Sequence, residues 1–142
     1  MRGWLALLGG LLLGQAEAAR VGVPRPALCA ASAWVVVAEI TGHEYLVNDQ
    51  GLVETWSDLA ILRTVRGRAP AEPARVVTPG GVVAGMRLTI SEAAELQLDG
   101  RYLLLLRPRP DGAWAPSGGP DGAIALGDEA AALRSLGGCR VD

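Results

Sequence analysis

The chain contains no lysine, no phenylalanine, only one histidine and only two cysteines. One His and two Cys cannot supply the usual nitrogen and sulfur ligands of a zinc site, so no metal is expected. No other cofactor is expected either. Without lysine there is no Gly-Lys-Ser/Thr phosphate loop. All 13 basic residues are Arg. With so much Ala and Gly, that is the codon signature of a GC-rich bacterial genome, and it is weak support for bidentate chemistry at any single Arg. A net charge of −2 provides no basic field for nucleic acid or an anionic membrane. Without Phe, the rings of Trp34, Trp56, Trp114, Tyr45 and Tyr102 must do much of the core filling. Trp34 and Trp56 are expected inside. Trp114 lies in a Pro/Gly-rich stretch and is either core or a partly exposed contact residue. Long apolar runs are lacking too. The run from Trp4 to Leu13 is about half the roughly 20 residues a membrane span needs.

That short run belongs to a different pattern. Met1-Arg2-Gly3 is a positive start, the apolar run follows, and Ala16 and Ala18 stand at −3 and −1 of a cleavage point. This is the order of a secretory signal peptide. Cleavage is expected after Ala18, with Ala16 the second choice. Residues 1–18 are then the signal peptide, residues 19–142 form one domain, and the protein is secreted or periplasmic. No cysteine follows the apolar run directly, which argues against a lipid anchor. In an oxidising compartment Cys29 and Cys139 read as one disulfide rather than two free thiols.

Along the chain, Arg20–Pro26 reads as an extended lead-in and Ala27–Ser32 as one helical turn. Trp34–Thr41 is dense in β-branched residues and reads as a strand buried on both sides for part of its length. Gly42 and Asn48–Gly51 mark turns. Leu52–Val65 reads as a long second strand, bulged near Ser57 and paired with the first. Ala74–Thr78 is a third strand stopped by Pro79-Gly80-Gly81. Val82–Val83 and Met86–Ile90 are shorter pieces. Arg101–Arg107 is the last strong strand, ended by Pro108 and Pro110. Trp114 and Ala123–Leu126 can supply closing strands. Asp128–Leu136 reads as a helix with Asp128 as N-cap, Glu129 in its first turn, Arg134 in its last and Gly137 past its end. The expected fold is all-β: a small five- to seven-stranded antiparallel OB-like barrel with a short C-terminal helix.

The order of these pieces carries a resemblance. A Val-rich strand, then Thr64-Val65-Arg66-Gly67, then Val76-Val77-Thr78-Pro79-Gly80-Gly81, then Gly100-Arg101-Tyr102 and four leucines, resembles a group of small exported bacterial proteins. Their fold is similar to the OB-type barrel of tissue inhibitors of metalloproteinases. Those inhibitors place a cysteine at the mature N-terminus to chelate the protease zinc. Cys29 lies inside the expected mature start, so that mechanism does not transfer.

Several candidate sites can be weighed. His43-Glu44 could be a general base or metal ligand, with Ser57, Ser91, Ser117 or Ser135 as a nucleophile. No Gly-x-Ser-x-Gly elbow surrounds any of these serines. The bland alternative is a solvated loop histidine. Thr78–Gly85 is glycine-rich but is followed by β-branched residues, not a helix, so it reads as a tight turn. Arg63, Arg66, Arg68 and Arg75 could hold an acidic ligand or merely blunt an edge strand. Glu92 and Glu95 read as a solvated pair. The expectation is a non-enzymatic exported binding domain, possible subclass a protease inhibitor. Its contact surface would be Thr78, Pro79, Gly80 and Gly81 with Trp114, and its partner an extracellular or envelope protein or glycan. The alternative is a small secreted hydrolase using His43 with Glu44 or a serine.

Overall fold

A computed structural model describes residues 23–67 and 74–139. The expected signal peptide and Arg68 lie outside these residues. Among the described residues no helix is long and apolar enough to cross a membrane.

The strands are β1 (Trp34–Val47), β2 (Val53–Arg66), β3 (Arg75–Pro79), β4 (Gly81–Val83), β5 (Met86–Leu88), β6 (Arg101–Pro108), β7 (Trp114–Pro116) and β8 (Ala123–Ala125). Two short helices, α1 (Arg25–Ala30) and α2 (Glu129–Arg134), flank them. The main sheet runs β1-β2-β3-β7-β6, and β6 returns to β1, so five strands close into a barrel with β8 added on β6. This is the all-β OB-like barrel expected. The ladders are antiparallel except one, where β3 meets β7 in parallel at Val76 and Trp114. The small β4–β5 ribbon stands apart as its own two-stranded sheet.

The strand pattern explains the core. Even-numbered residues of β1 and β6 point inward: Trp34, Val36, Ala38, Ile40, Tyr102, Leu104 and Leu106 meet Leu59 and Val76 inside the barrel. Odd-numbered residues point outward but are buried as well. Val35, Val37, Leu103 and Leu105 lie under Leu28 and Cys29 of α1 and Leu133 and Leu136 from the C-terminal end. Successive side chains of a strand alternate between faces, so a strand covered on both faces must be apolar throughout, as Trp34–Val37 and Leu103–Leu106 are. Each such Val or Leu contributes about 1.5–3 kcal/mol on burial.

The outer layer is fastened by the expected disulfide. Cys29 and Cys139 are bonded with Cα atoms 6.0 Å apart, at a sequence separation of 110. The Arg66 guanidinium reaches the Cys29 carbonyl and the Cys139 sulfur. Asp128 caps α2 as expected, its carboxylate accepting from Ala131 N–H at 3.1 Å.

Two sequence expectations are corrected. Gly42 does not end the first strand: β1 continues to Val47. The bulges also differ from the one expected near Ser57. Register shifts fall between Val35 and Val36, between Val37 and Ala38, and between Ile40 and Gly42. The last leaves Thr41 unmatched opposite β2. A bulge bends a strand and increases its twist, so the hairpin leaves the barrel wall instead of ending at Gly42.

Because Cys29 is fully buried, paired alanine substitutions test the covalent link without leaving a buried polar group. Cys29→Ala with Cys139→Ala is expected to lower the unfolding free energy by about 2–4 kcal/mol, read as a lower urea midpoint. An unchanged midpoint would show that the outer layer holds without the bond.

Candidate functional site

The hairpin formed by the far halves of β1 and β2 makes one wall of an opening at the end of the barrel. Its tip is set by Asn48, whose Oδ1 accepts from Gln50 N–H at 2.9 Å and Leu52 N–H at 3.0 Å. Inward-facing His43 and Tyr45 of β1 and Thr55 of β2 line the opening, with Thr78, Pro79, Gly80 and Gly81. The β4–β5 ribbon and the segment at 89–98 complete the rim. The enclosed volume is about 270 Å³.

Segment 89–98 has no regular structure, yet it is pinned. Ala94 and Leu96 are buried, and Leu96 joins the barrel core. The Tyr102 hydroxyl accepts from Gln97 N–H at 2.8 Å. Asp99 N–H donates to Ile40 O at 2.8 Å, and Ile40 N–H donates to Gly100 O at 2.9 Å.

The glycine turn works as expected, and it also shapes the site. Gly80 and Gly81 have φ of 92° and 148°, a region open to glycine at no steric cost. Thr55 Oγ1 donates to Gly80 O at 2.7 Å. A Cβ on Gly81 would stand 2.7 Å from both Thr55 Oγ1 and Tyr45 Cδ1. The turn therefore fits directly against the Tyr45 ring.

The rim is apolar and wet. Tyr45, Leu88, Ile90 and Leu98 are exposed large hydrophobics that line it. Leu46, Val47 and Leu52, by the β1–β2 tip, and Met86, next to the β4–β5 turn, are exposed as well. Elsewhere among the described residues the exposed large hydrophobics are Val23 and Leu62. A clustered apolar surface rimmed by polar groups marks a contact site, whereas scattered ones need no explanation. The floor is polar, lined by His43, Thr55 and buried Thr78. His43 Nε2, and Ser57 Oγ behind it, are buried and have no hydrogen-bond partner among the described residues.

His43 and the turn Thr78–Gly81, far apart in the chain, meet in this opening. His43 lies on a strand, not in a loop. Glu44, its sequence neighbour, points to the opposite face of β1. There its carboxylate pairs with Arg75 at 2.8 Å. Ser57 is the cross-strand partner of His43 but is fully buried and makes no bond to it. Ser117 accepts from Ser32 at 2.9 Å, and Ser135 accepts from Arg25. Trp114 does not line the opening. It packs on Trp34 with ring centroids 5.1 Å apart. The arginines do not form one patch: Arg63 pairs with Glu129, Arg66 with the disulfide region, and Arg75 with Glu44 and Asp58. Among the described residues no group of His, Cys, Asp and Glu could hold a metal.

Trp56 was expected in the core and lies instead on the outer face of β2. Arg75 and Arg109 stand over its ring at 5.1 and 5.7 Å. Cations over a tryptophan face are attracted by the ring quadrupole. Barrels of this type often bind ligands across their second and third strands. Here that face is closed by its own charges. Glu54 accepts from Arg109, Asn48 and the Trp56 indole. Arg109 also holds Asp111 at 2.8 Å. The hydrogen bond from Arg109 keeps the Asp111 carboxyl below its ordinary value. Burial opposes the charge on Arg109, but its bonds to Asp111 and Glu54 outweigh it and raise its pKa.

No protein-family model and no curated protein matches this chain.

Gly81→Ala is expected to cost about 1–3 kcal/mol through backbone strain and contact with Tyr45. Thermal melts read the cost, and a variant as stable as wild type would show that the turn is not constrained by the ring. For Asp111, a lowered folded-state pKa means the ionised form is favoured by folding. Its contribution is present above the ordinary value of 3.8 and is lost as pH falls through the lowered one. The stability gap between wild type and Asp111→Asn should therefore narrow as pH drops below about 4 in melts across the acid range. A gap independent of pH would show that the carboxylate charge does not matter.

Proposed function

We propose that this chain is an exported, non-enzymatic binding domain whose contact surface is the barrel mouth. The observation that carries the reading is the gathering of exposed Tyr45, Leu88, Ile90 and Leu98 around one opening with a polar floor. Exposing such residues at one place costs solubility, and a contact partner offsets that cost. The cysteine chemistry supports export, since disulfides persist in oxidising compartments, and the start of the sequence has the pattern of a signal peptide. The partner on this reading is an extracellular or envelope protein or glycan.

The hydrolase alternative finds little support. A nucleophile must be reachable by substrate and close to its base. Ser57 is the serine across from His43, and it is fully buried. Glu44 is committed to Arg75 on the other face. Inhibition of an extracellular protease remains a form of the binding reading. The resemblance to metalloproteinase inhibitors suggests it, although Cys29 is bonded to Cys139.

The test is capture from envelope, cell-wall and culture-supernatant fractions, alongside inhibition assays on metallo- and serine proteases. Wild type is expected to retain material or inhibit a protease, and Leu88→Asp with Ile90→Asp to lose that effect. Leu62→Asp, at an exposed position away from the mouth, serves as the control and should keep it. Equal behaviour of the mouth variant and wild type, or no capture and no inhibition by wild type, sinks the reading.

A further inference from the structure

The mouth carries a feature that specifies how a partner would bind. The β4–β5 ribbon turns through Ala84 and Gly85, whose φ values are 53° and 77°. A two-residue turn with both φ positive matches the twist of the strands it joins. In such a hairpin the closing pair, Val83 and Met86, exchanges hydrogen bonds, and the next pair, Val82 and Arg87, does not. The backbone N–H and C=O of Arg87 therefore point away from β4. On that side β5 has no neighbouring strand among the described residues. A two-stranded ribbon is marginal alone, and a third strand is what such a unit needs.

The side chains of β5 add a pattern to that free edge. Met86 and Leu88 are 74% and 44% exposed. Arg87 stands between them on the opposite side of the strand. Arg87 is exposed and makes no ion pair among the described residues, whereas Arg75 and Arg109 on the outer face are each held by two carboxylates.

We propose that the mouth binds an extended peptide by strand addition to β5, with an acidic residue of the peptide opposite Arg87 and apolar residues on either side of it. This rests on the reading of the mouth as the contact surface. In strand addition the main chain provides affinity and alternate side chains provide specificity. Residues directly opposite in an antiparallel pair share a face, so an acidic residue there meets the guanidinium. Glu95 lines the same opening and disfavours a second acidic residue turned inward. A second copy of this chain is the wrong occupant. The register that uses both free groups of Arg87 would set Arg87 against Arg87, and like charges directly opposite destabilise a ladder.

The probe is acetyl-Thr-Val-Glu-Val-Thr-amide, with a counterpart carrying Lys for Glu and one methylated on the Glu nitrogen. Each is titrated to about 1 mM, the top of the weak-binding range, into the isotope-labelled oxidised protein and followed by NMR. The Glu peptide is expected to shift the backbone amides of residues 86–88 and to protect the Arg87 amide from hydrogen exchange. The Lys peptide should bind at least about tenfold more weakly, roughly 1.4 kcal/mol, and the methylated one not at all. Arg87→Glu should reverse the order of the Glu and Lys peptides. Equal binding of all three peptides, or binding that leaves Arg87 exchange unchanged, overturns the proposal. So does no binding of the Glu peptide. In those cases the mouth reading survives if capture by wild type still depends on Leu88 and Ile90, and falls with it if capture does not.

Discussion

The molecule depends on the ladder between β1 and β6, which pairs Trp34 with Leu106 and runs to Glu39 with Arg101. The ladder closes the barrel, and it is buried on both faces. Inside, Trp34, Val36, Leu104 and Leu106 form the barrel core. Outside, Val35, Val37, Leu103 and Leu105 would face water if α1 and the C-terminal segment did not cover them. An antiparallel sheet normally leaves one face solvated. Here the outer face is apolar, so the short helices are obligatory covers, and the disulfide holds α1 and the segment after α2 together over it. Helices of this length are marginal on their own. Their order comes from the surface they cover.

The same strand then changes role. From Trp34 to Ile40, β1 is almost wholly buried, and beyond Gly42 it becomes half-buried and then exposed. The division falls at the bulge between Ile40 and Gly42. On one side the strand contributes stability through burial. On the other it rises out of the barrel and presents His43 and Tyr45 to the opening. Gly42 fits this point because Asp58 approaches it closely: a Cβ would come 2.9 Å from Asp58 Oδ2. Asp58 in turn anchors Arg75 at 3.0 Å, which ties the bend of β1 to β3.

Much of the core was legible in the sequence because its signal is local. Trp34–Val37 and Leu103–Leu106 are continuous apolar runs, and such a run reads as a strand buried on both faces. The cap at Asp128 and the turn at Gly80-Gly81 were legible for the same reason, since each needs a residue type at one position. The bulge was not, because nothing in the residues Thr41-Gly42 distinguishes a turn from a strand that absorbs one extra residue. The places of Trp56 and Trp114 were not legible, for a non-local reason. Trp56 alternates onto the outer face of β2, where Arg75 from β3 and Arg109 from the β6–β7 turn cover it. Trp114 is drawn inward by the closing of the barrel against Trp34. The meeting of His43 with Thr78–Gly81 was likewise invisible, although the exposed hydrophobic residues at Met86, Leu88 and Ile90 left a signal in their spacing.

The distribution of charge decides between the two faces that could serve a ligand. On the outer face Arg75 and Arg109 lie over Trp56, yet each already has two carboxylate partners. A ligand entering there would have to displace those bonds and would gain only the difference, which for exposed or half-exposed pairs is small. At the mouth the balance is reversed. The apolar rim is already in contact with water. Among the described residues the outer edge of β5 has no strand partner, and Arg87 has no carboxylate to surrender. Contact there removes unfavourable exposure and breaks no internal bond. The mouth, not the aromatic outer face, is therefore where binding would require the least rearrangement of the folded chain.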